Sequence, residues 1–420
     1  MRKRIHDHIS WLCALSIAFF IPVYGRALPI IIIVMVFNWF FEGRYIKTIP
    51  LLFREKIRIA TLSLSLIYIL YLIGLFYTTN YSFGLLDGEI KLSMFIFPIL
   101  FATSCDGLFT DRRISQILMA FIAGCISGSL ILLVHSYYVW FNFHNTNPFY
   151  YTNLSWFFHS TYVSMYYDFA IVILLYKGFR PEEPAFSLRR AGYLLLVAYF
   201  ILLVLLLSSK AGILILAFIC IMMISFLLIR RQMKNALLLF LVISALFIIG
   251  FVSFSYTASR FITTSEVIAT EQNQLGNRKE STAERRVIWK ATIDIIKRNP
   301  MVGVGTGDIK DALLKQYETN HSFMAVEQNL NSHNQYLQTF ATLGLPGILV
   351  LLAMIFIPAF RAFRSQQMIY LSFLLIFAIN ILFESMFEIQ AGVIFFAFFN
   401  TLLFRAENQK GTISRAPLAN

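Results

Sequence analysis

Near the end of the chain, Asn331-Ser332-His333-Asn334-Gln335 precedes an apolar run, and His333-Asn334 is followed after nine residues by Gly344, then two residues later by Gly347. An imidazole titrates near neutral pH, so His333 is suited to take a proton from a hydroxyl. A histidine among amides at a membrane boundary also serves as a plain polar anchor, and that reading stays open. Upstream, residues 281–298 read as an amphipathic helix. Ser281 or Thr282 can cap it, Glu284 lies early in its first turn, and Asn299-Pro300 ends it. Arg285, Trp289, Ile293 and Ile296 fall on one face at helical spacing. An arginine that shares its stripe with a tryptophan is expected near a membrane surface, where a lipid phosphate would be. The alternative is a solvated or snorkelling charge.

Some chemistries have no residues here. The chain has no GxxxxGK[ST], no HExxH and no Asp-x-Asp pair. Gly303-Val-Gly305-Thr-Gly307 does not follow a strand of a βαβ unit and reads as a turn. The four cysteines, Cys13, Cys105, Cys125 and Cys220, form no CxxC or Cys/His cluster, so neither a disulfide nor a metal site is expected.

The elements that must position these residues follow from composition. Of 420 residues, 58% are hydrophobic and 14% charged, against about 25% charged in soluble domains. That excludes a secreted disulfide scaffold, a disordered chain and a cytosolic enzyme. An all-α polytopic membrane protein is expected, with about twelve transmembrane helices and one large extramembrane loop containing short helices. The apolar runs are 9–25, 27–41, 57–77, 90–103, 114–139, 160–176, 191–208, 211–229, 235–254, 336–358, 368–383 and 387–404. The basic start, Met1-Arg2-Lys3-Arg4, resembles a signal peptide, but without a small-x-small cleavage site it reads as the start of the first span.

The net charge of +13 suggests no nucleic acid here; it concerns sidedness. With twelve spans, 22 Lys and Arg lie on the side of the termini and three (Arg26, Lys91, Lys210) in the short loops opposite. Both termini are therefore expected in the cytoplasm. The division expected is a nine-helix membrane region 1–254, a large external loop 255–335, three further spans over 336–404 and a cytoplasmic tail 405–420. Residues 140–159 hold nine aromatics and no Lys or Arg, as an interfacial aromatic belt or a sugar or lipid platform would.

The His333-Asn334-x9-Gly-x-x-Gly pattern resembles the signature of bacterial O-antigen ligases, a family related to O-antigen polymerases and protein O-oligosaccharyltransferases. Arg285-x-x-x-Trp289 with Asn-Pro-Met-Val-Gly-Val-Gly after it resembles the family's helix and glycine turn. His159-Ser-Thr-Tyr162 resembles its mid-chain segment, and the layout of spans around a large loop matches. The family's Ser-Arg pair is replaced by Ser209-Lys210, which keeps the charge but loses the bidentate fork.

The resemblance implies a GT-C-like glycosyltransferase in the bacterial inner membrane with a periplasmic active site. It implies transfer of a glycan from undecaprenyl diphosphate to a sugar hydroxyl of lipid A-core, inverting and without a metal or other cofactor. Its partners would be that donor, that acceptor and the bilayer. His333 would be the base or a diphosphate ligand. Arg285 and Lys210, with Arg286 as a substitute, would hold the diphosphate. His159, Tyr162, Asn334 and Glu384 are candidate donor or acceptor contacts. Glu384 and Glu388 stand one helical turn apart, facing an acceptor, acting as base, or simply solvated. Asp168 is an intramembrane acid without an assigned role. A polymerase, a protein-glycosylating enzyme and a lipid or glycan transporter are the alternatives. The spans are nearly charge-free and show no internal repeat, which argues against transport.

Overall fold

A computed structural model describes residues 2–52, 56–104, 106–144, 147–156, 158–179, 187–253 and 281–413. Among these there is no strand, and the all-helical expectation holds. The first part of the expected external loop, 255–280, lies outside the described residues.

Six helical stretches among the described residues are long and apolar enough to cross a membrane: Gly25–Glu42, Ala60–Tyr77, Asp111–Phe143, Leu188–Leu207, Lys210–Ile229 and Gln335–Arg364. Met233–Leu246 and Met368–Asn380 are apolar but shorter. The other four expected spans are helices of different character. Ser93–Thr103 has 11 residues, about 16 Å at 1.5 Å per residue, half of a hydrocarbon core of about 30 Å. In Ser160–Gly178 every residue but Tyr176 and Lys177 is buried, so it turns no face outward. Arg2–Phe20 carries charge in its first turns, and Gln390–Ile413 runs into a polar end.

The chain forms two compact units. One contains Cys125–Ala283 and Leu375–Asn380. In it, Ser160–Gly178 packs on Leu188–Leu207 and Lys210–Ile229. Gly212 permits the second contact, because a Cβ there would meet the Ser164 side chain.

The other unit contains Met1–Gly124, Glu284–Leu374 and Ile381–Asn420. Phenylalanines interlock its core: Phe97 meets Phe398 edge-on at 5.4 Å and Phe121 meets Phe399 at 5.0 Å. Helix Ser281–Arg298 runs over the expected residues and stops before Pro300. Its buried face differs from the expected stripe. Ile288, Ala291, Thr292, Ile295 and Ile296 are buried, whereas Ile293 is 40% exposed. The cause is a docking partner invisible in the local pattern. Two further helices, Ile309–Thr319 and Phe323–Glu327, supply Leu313, Tyr317 and Ala325 to a common apolar cluster with it.

The turn through Gly303 and Gly305 completes a broken helix. Gln335–Arg364 leaves helical geometry at Gly344 (φ 65°, ψ −158°). Pro346 has no N–H, and the Leu345 N–H donates instead to Pro300 O at 2.9 Å. The carbonyls of Ala341 and Thr342 would therefore lose their helix donors. Val304 N and Gly305 N donate to them at 2.9 and 3.0 Å. Gly303 (φ +70°) and Gly344 face each other's backbone: a Cβ on Gly303 would overlap Thr342, and one on Gly344 would overlap Met301. The same loop reaches helix Leu66–Gly74, where Thr306 Oγ1 donates to Tyr71 O at 2.6 Å.

Asp308 then fastens the start of helix Tyr81–Lys91. It accepts from the N–H groups of Thr79 and Asn80 at 2.9 and 2.8 Å, and Asn80 caps that helix through Phe83 N. What burial it has raises the Asp308 carboxyl, but these donors outweigh it and hold the group below the usual carboxylate range.

Gly303→Ala and Gly344→Ala should each destabilise the detergent-solubilised protein by at least about 1–2 kcal/mol, the cost of a left-handed non-glycine residue; an unchanged thermal midpoint would contradict the interlock. Asp308→Ala should lower the midpoint at neutral pH. Because the folded carboxyl is depressed, its contribution is present above the ordinary carboxylate range and lost as pH falls through the folded value, so the gap to wild type should close below about pH 4.

Candidate functional site

The site is built where helix Gln335–Arg364 begins. Asn334 is its N-cap, its Oδ1 accepting from Leu337 N at 3.1 Å. Three bonds stitch this start to the segment 381–388: Asn334 N to Ser385 Oγ (3.2 Å), Gln335 N to Ile381 O (2.8 Å) and Phe387 N to Gln335 Oε1 (2.7 Å). Just upstream, His333 has φ 42°, and its N–H donates to Asn331 Oδ1 at 2.9 Å. This tight turn lifts the imidazole out of the helix line.

The imidazole meets Glu384, with Nδ1 3.0 Å from Oε1. Glu384 is 5% exposed, and the His333 side chain keeps a quarter of its surface open. An ionised carboxylate only accepts, so beside ionised Glu384 a neutral His333 ring would carry its proton on Nδ1 and present a lone pair at Nε2. A buried acid orienting an accessible imidazole is the arrangement of a general base. Ser332, fully buried, donates from N and Oγ to Gln338 Oε1 at 3.2 and 2.5 Å and receives Thr292 Oγ1 at 3.3 Å. Thr292 belongs to helix Ser281–Arg298, so the element bearing Arg285 and Arg286 is tied to the His333 turn. Arg285 is half-buried, and its Nε has no hydrogen-bond partner among the described residues. Arg286 is half-buried as well.

Glu388 points elsewhere than Glu384. The two are not neighbours on a helix: Glu384 lies in a turn and Glu388 ends the 3₁₀ segment Met386–Glu388. Glu388 Oε1 is 3.3 Å from Lys91 Nζ. Lys91 is fully buried, in contact with Asp87 one turn back and 4.6 Å from the centre of the Tyr71 ring. Lys91, read from the sequence as a short-loop cation, is thus enclosed, because two carboxylates and an aromatic face replace its water. Tyr71 continues the network through its hydroxyl to Thr339 Oγ1 (3.5 Å), which also receives Gln335 Nε2 (3.0 Å). Burial, with Glu388 adding to it, pushes the Asp87 carboxyl up to about 7 against the pull of Lys91. Sequence reasoning missed this triad. Its one local signal was the i,i+4 pair Asp87–Lys91 beside an apolar run.

The remaining candidates belong to the unit built on 125–283. Lys210 is the first residue of helix Lys210–Ile229, whose N-cap Ser209 accepts from Gly212 N at 3.2 Å. His159 is an exposed N-cap, accepting from Thr161 N at 3.4 Å, and its ring meets that of buried Tyr162 at 6.4 Å. Asp168 is completely buried, and neither carboxylate oxygen has a hydrogen-bond partner among the described residues. In the aromatic stretch, Trp140, Phe141, Phe143 and Trp156 are exposed, as an interfacial belt requires.

Replacing Lys91 by Met would leave buried Asp87 and part-buried Glu388 without their cation. Lys91→Met should cost about 3–5 kcal/mol of stability, and adding Asp87→Asn should recover part of it; denaturant melts of the three proteins in detergent would show this.

Residues 194–352 match the family model described as O-antigen ligase. That segment contains Lys210, Arg285, Arg286, His333 and Asn334. The match supports the O-antigen ligase family for this chain, as its motifs suggested. No curated protein matches the chain.

Proposed function

We propose that this chain is an O-antigen ligase of the bacterial inner membrane, acting on the periplasmic side with both termini in the cytoplasm. It takes a glycan from undecaprenyl diphosphate and joins it to a sugar hydroxyl of lipid A-core. The observation that carries this reading is the His333–Glu384 pair: an open imidazole oriented by a buried carboxylate, 3.0 Å away, at the mouth of a membrane helix.

In this reading Glu384 accepts from Nδ1–H and keeps Nε2 free for the acceptor hydroxyl. Nε2 takes the hydroxyl proton as the oxygen attacks the anomeric carbon from the face opposite the diphosphate. The bond from that carbon to the diphosphate oxygen breaks, and undecaprenyl diphosphate leaves with the electron pair. The configuration inverts. Arg285 is proposed to meet the developing charge, supported by its unsatisfied buried Nε. Lys210 and Arg286 are proposed as further cations on the diphosphate, with Asn334 holding the turn as helix cap. His159 and Tyr162 are proposed donor contacts. His333 as a diphosphate ligand rather than a base is the second role to test.

The test is the lipopolysaccharide profile of a deletion strain. Wild type should restore glycan-capped core, and His333→Ala should leave core bare. Core bearing one repeat in the deletion strain would mark a polymerase instead, and an unchanged ladder would sink both readings. With purified protein, Glu384→Gln should lower kcat by about 10²-fold or more, as loss of general-base help does, while leaving the donor KM near wild type. A raised donor KM with normal kcat would make His333 and Glu384 diphosphate-binding groups.

A further inference from the structure

A cavity of about 160 Å³ lies beside the His333 turn, within the same compact unit. Its polar lining is Asp87, Glu388, Gln338 and Asn331, with Asn329 and Lys310 at the edge. Phe83 and Leu86 contribute an apolar wall.

Two of these groups hold unused hydrogen-bonding capacity. Gln338 is 2% exposed, and its Oε1 is fixed as the acceptor because a backbone N–H, that of Ser332, donates to it. Its Nε2 is therefore a donor on a residue that lines the cavity. Asp87, 3% exposed, uses one oxygen on Lys91 and leaves the other without a partner among the described residues. A donor and an acceptor that line the same cavity together match a group that both gives and takes a hydrogen bond. A hydroxyl is such a group.

The charge balance selects among ligands. Lys91 is held between Asp87 and Glu388, and Lys310 sits 5.6 Å over the Phe83 ring. A diphosphate placed here would face two carboxylates, so the cavity does not suit the charged end of the donor. A neutral ring with hydroxyls on its edge and C–H groups on its face suits both the polar lining and the Phe83 wall. The cavity also adjoins the base: Asn331 lines it and accepts the His333 N–H, while Glu388 lies four residues beyond Glu384.

We propose that this cavity is the subsite for the acceptor sugar ring, with one ring hydroxyl donating to Asp87 and accepting from Gln338 Nε2. The assignment rests on the transferase reading above and deepens it. It makes Asp87 and Gln338 acceptor-binding residues, and Glu388 and Lys91 the pair that positions Asp87.

Two variants of the full-length protein in detergent test it, with lipid A-core from the deletion strain as acceptor and the strain's diphosphate-linked glycan lipid as donor. Gln338→Glu keeps an acceptor oxygen for Ser332 and removes the Nε2 donor. Leu86→Trp fills the cavity from its rim, where the 54% exposure of Leu86 spares the fold. Each should raise the acceptor KM about tenfold, the equivalent of one lost hydrogen bond, with the donor KM within about twofold of wild type. An acceptor KM unchanged in Leu86→Trp, or a rise in donor KM instead, overturns the subsite while wild-type transfer continues. Wild-type protein that transfers nothing overturns the ligase reading, and the subsite with it.

Discussion

The carbonyls of Ala341 and Thr342 govern how this site is assembled. A helix broken at Gly344 and followed by Pro346 cannot supply their donors, and a buried carbonyl without a donor is costly. The loop after Asn299 supplies them, and in doing so is pinned against the helix that begins beside His333. Thr306 extends the grip to Tyr71, and Asp308 to Thr79 and Asn80. One backbone requirement thus brings three distant stretches of chain together: the helix with Tyr71, the helix with Asp87 and Lys91, and the helix led by the His333 turn. Substituting a larger residue at Gly303 would act on catalysis through this framework, without touching substrate.

The two acids of the segment 381–388 divide the labour. Glu384 Oε1 lies 3.0 Å from the imidazole Nδ1. Glu388 faces the opposite way, into the ammonium of Lys91. The segment is therefore held by charge at Glu384 and Glu388 and by Gln335, whose N–H donates to Ile381 O and whose side-chain Oε1 receives Phe387 N. Such cross-bracing holds the His333–Glu384 pair in a fixed geometry.

Much of this was legible before any coordinates. Helix Ser281–Arg298 announced itself by a capping residue at one end and Asn-Pro at the other, both local signals. His333-Asn334 and the two later glycines stood out as a pattern, and the structure gives Asn334 and Gly344 physical jobs: cap and break. What escaped depends on partners far along the chain. The buried face of Ser281–Arg298 is set by Leu313, Tyr317 and Ala325, and an arginine–tryptophan stripe of the same period pointed elsewhere. Lys91 looked like a loop cation because nothing near it in sequence except Asp87 hints at enclosure, and Glu388 is 297 residues away. Apolar runs alone also leave a helix's surroundings open: Ser93–Thr103 has 11 residues, and Ser160–Gly178 buries nearly every residue.

That separation of 297 residues has a meaning in time as well as in space. At about 5–20 residues per second, Lys91 leaves the ribosome about 15–60 s before Glu388 exists. All of the unit built on 125–283 is synthesised in that interval. During it the lysine has one carboxylate close at hand, Asp87, a single helical turn away and made moments earlier. The Lys91–Glu388 contact can close only once the segment carrying Glu388 has been made, and it then adds to the contact with Asp87.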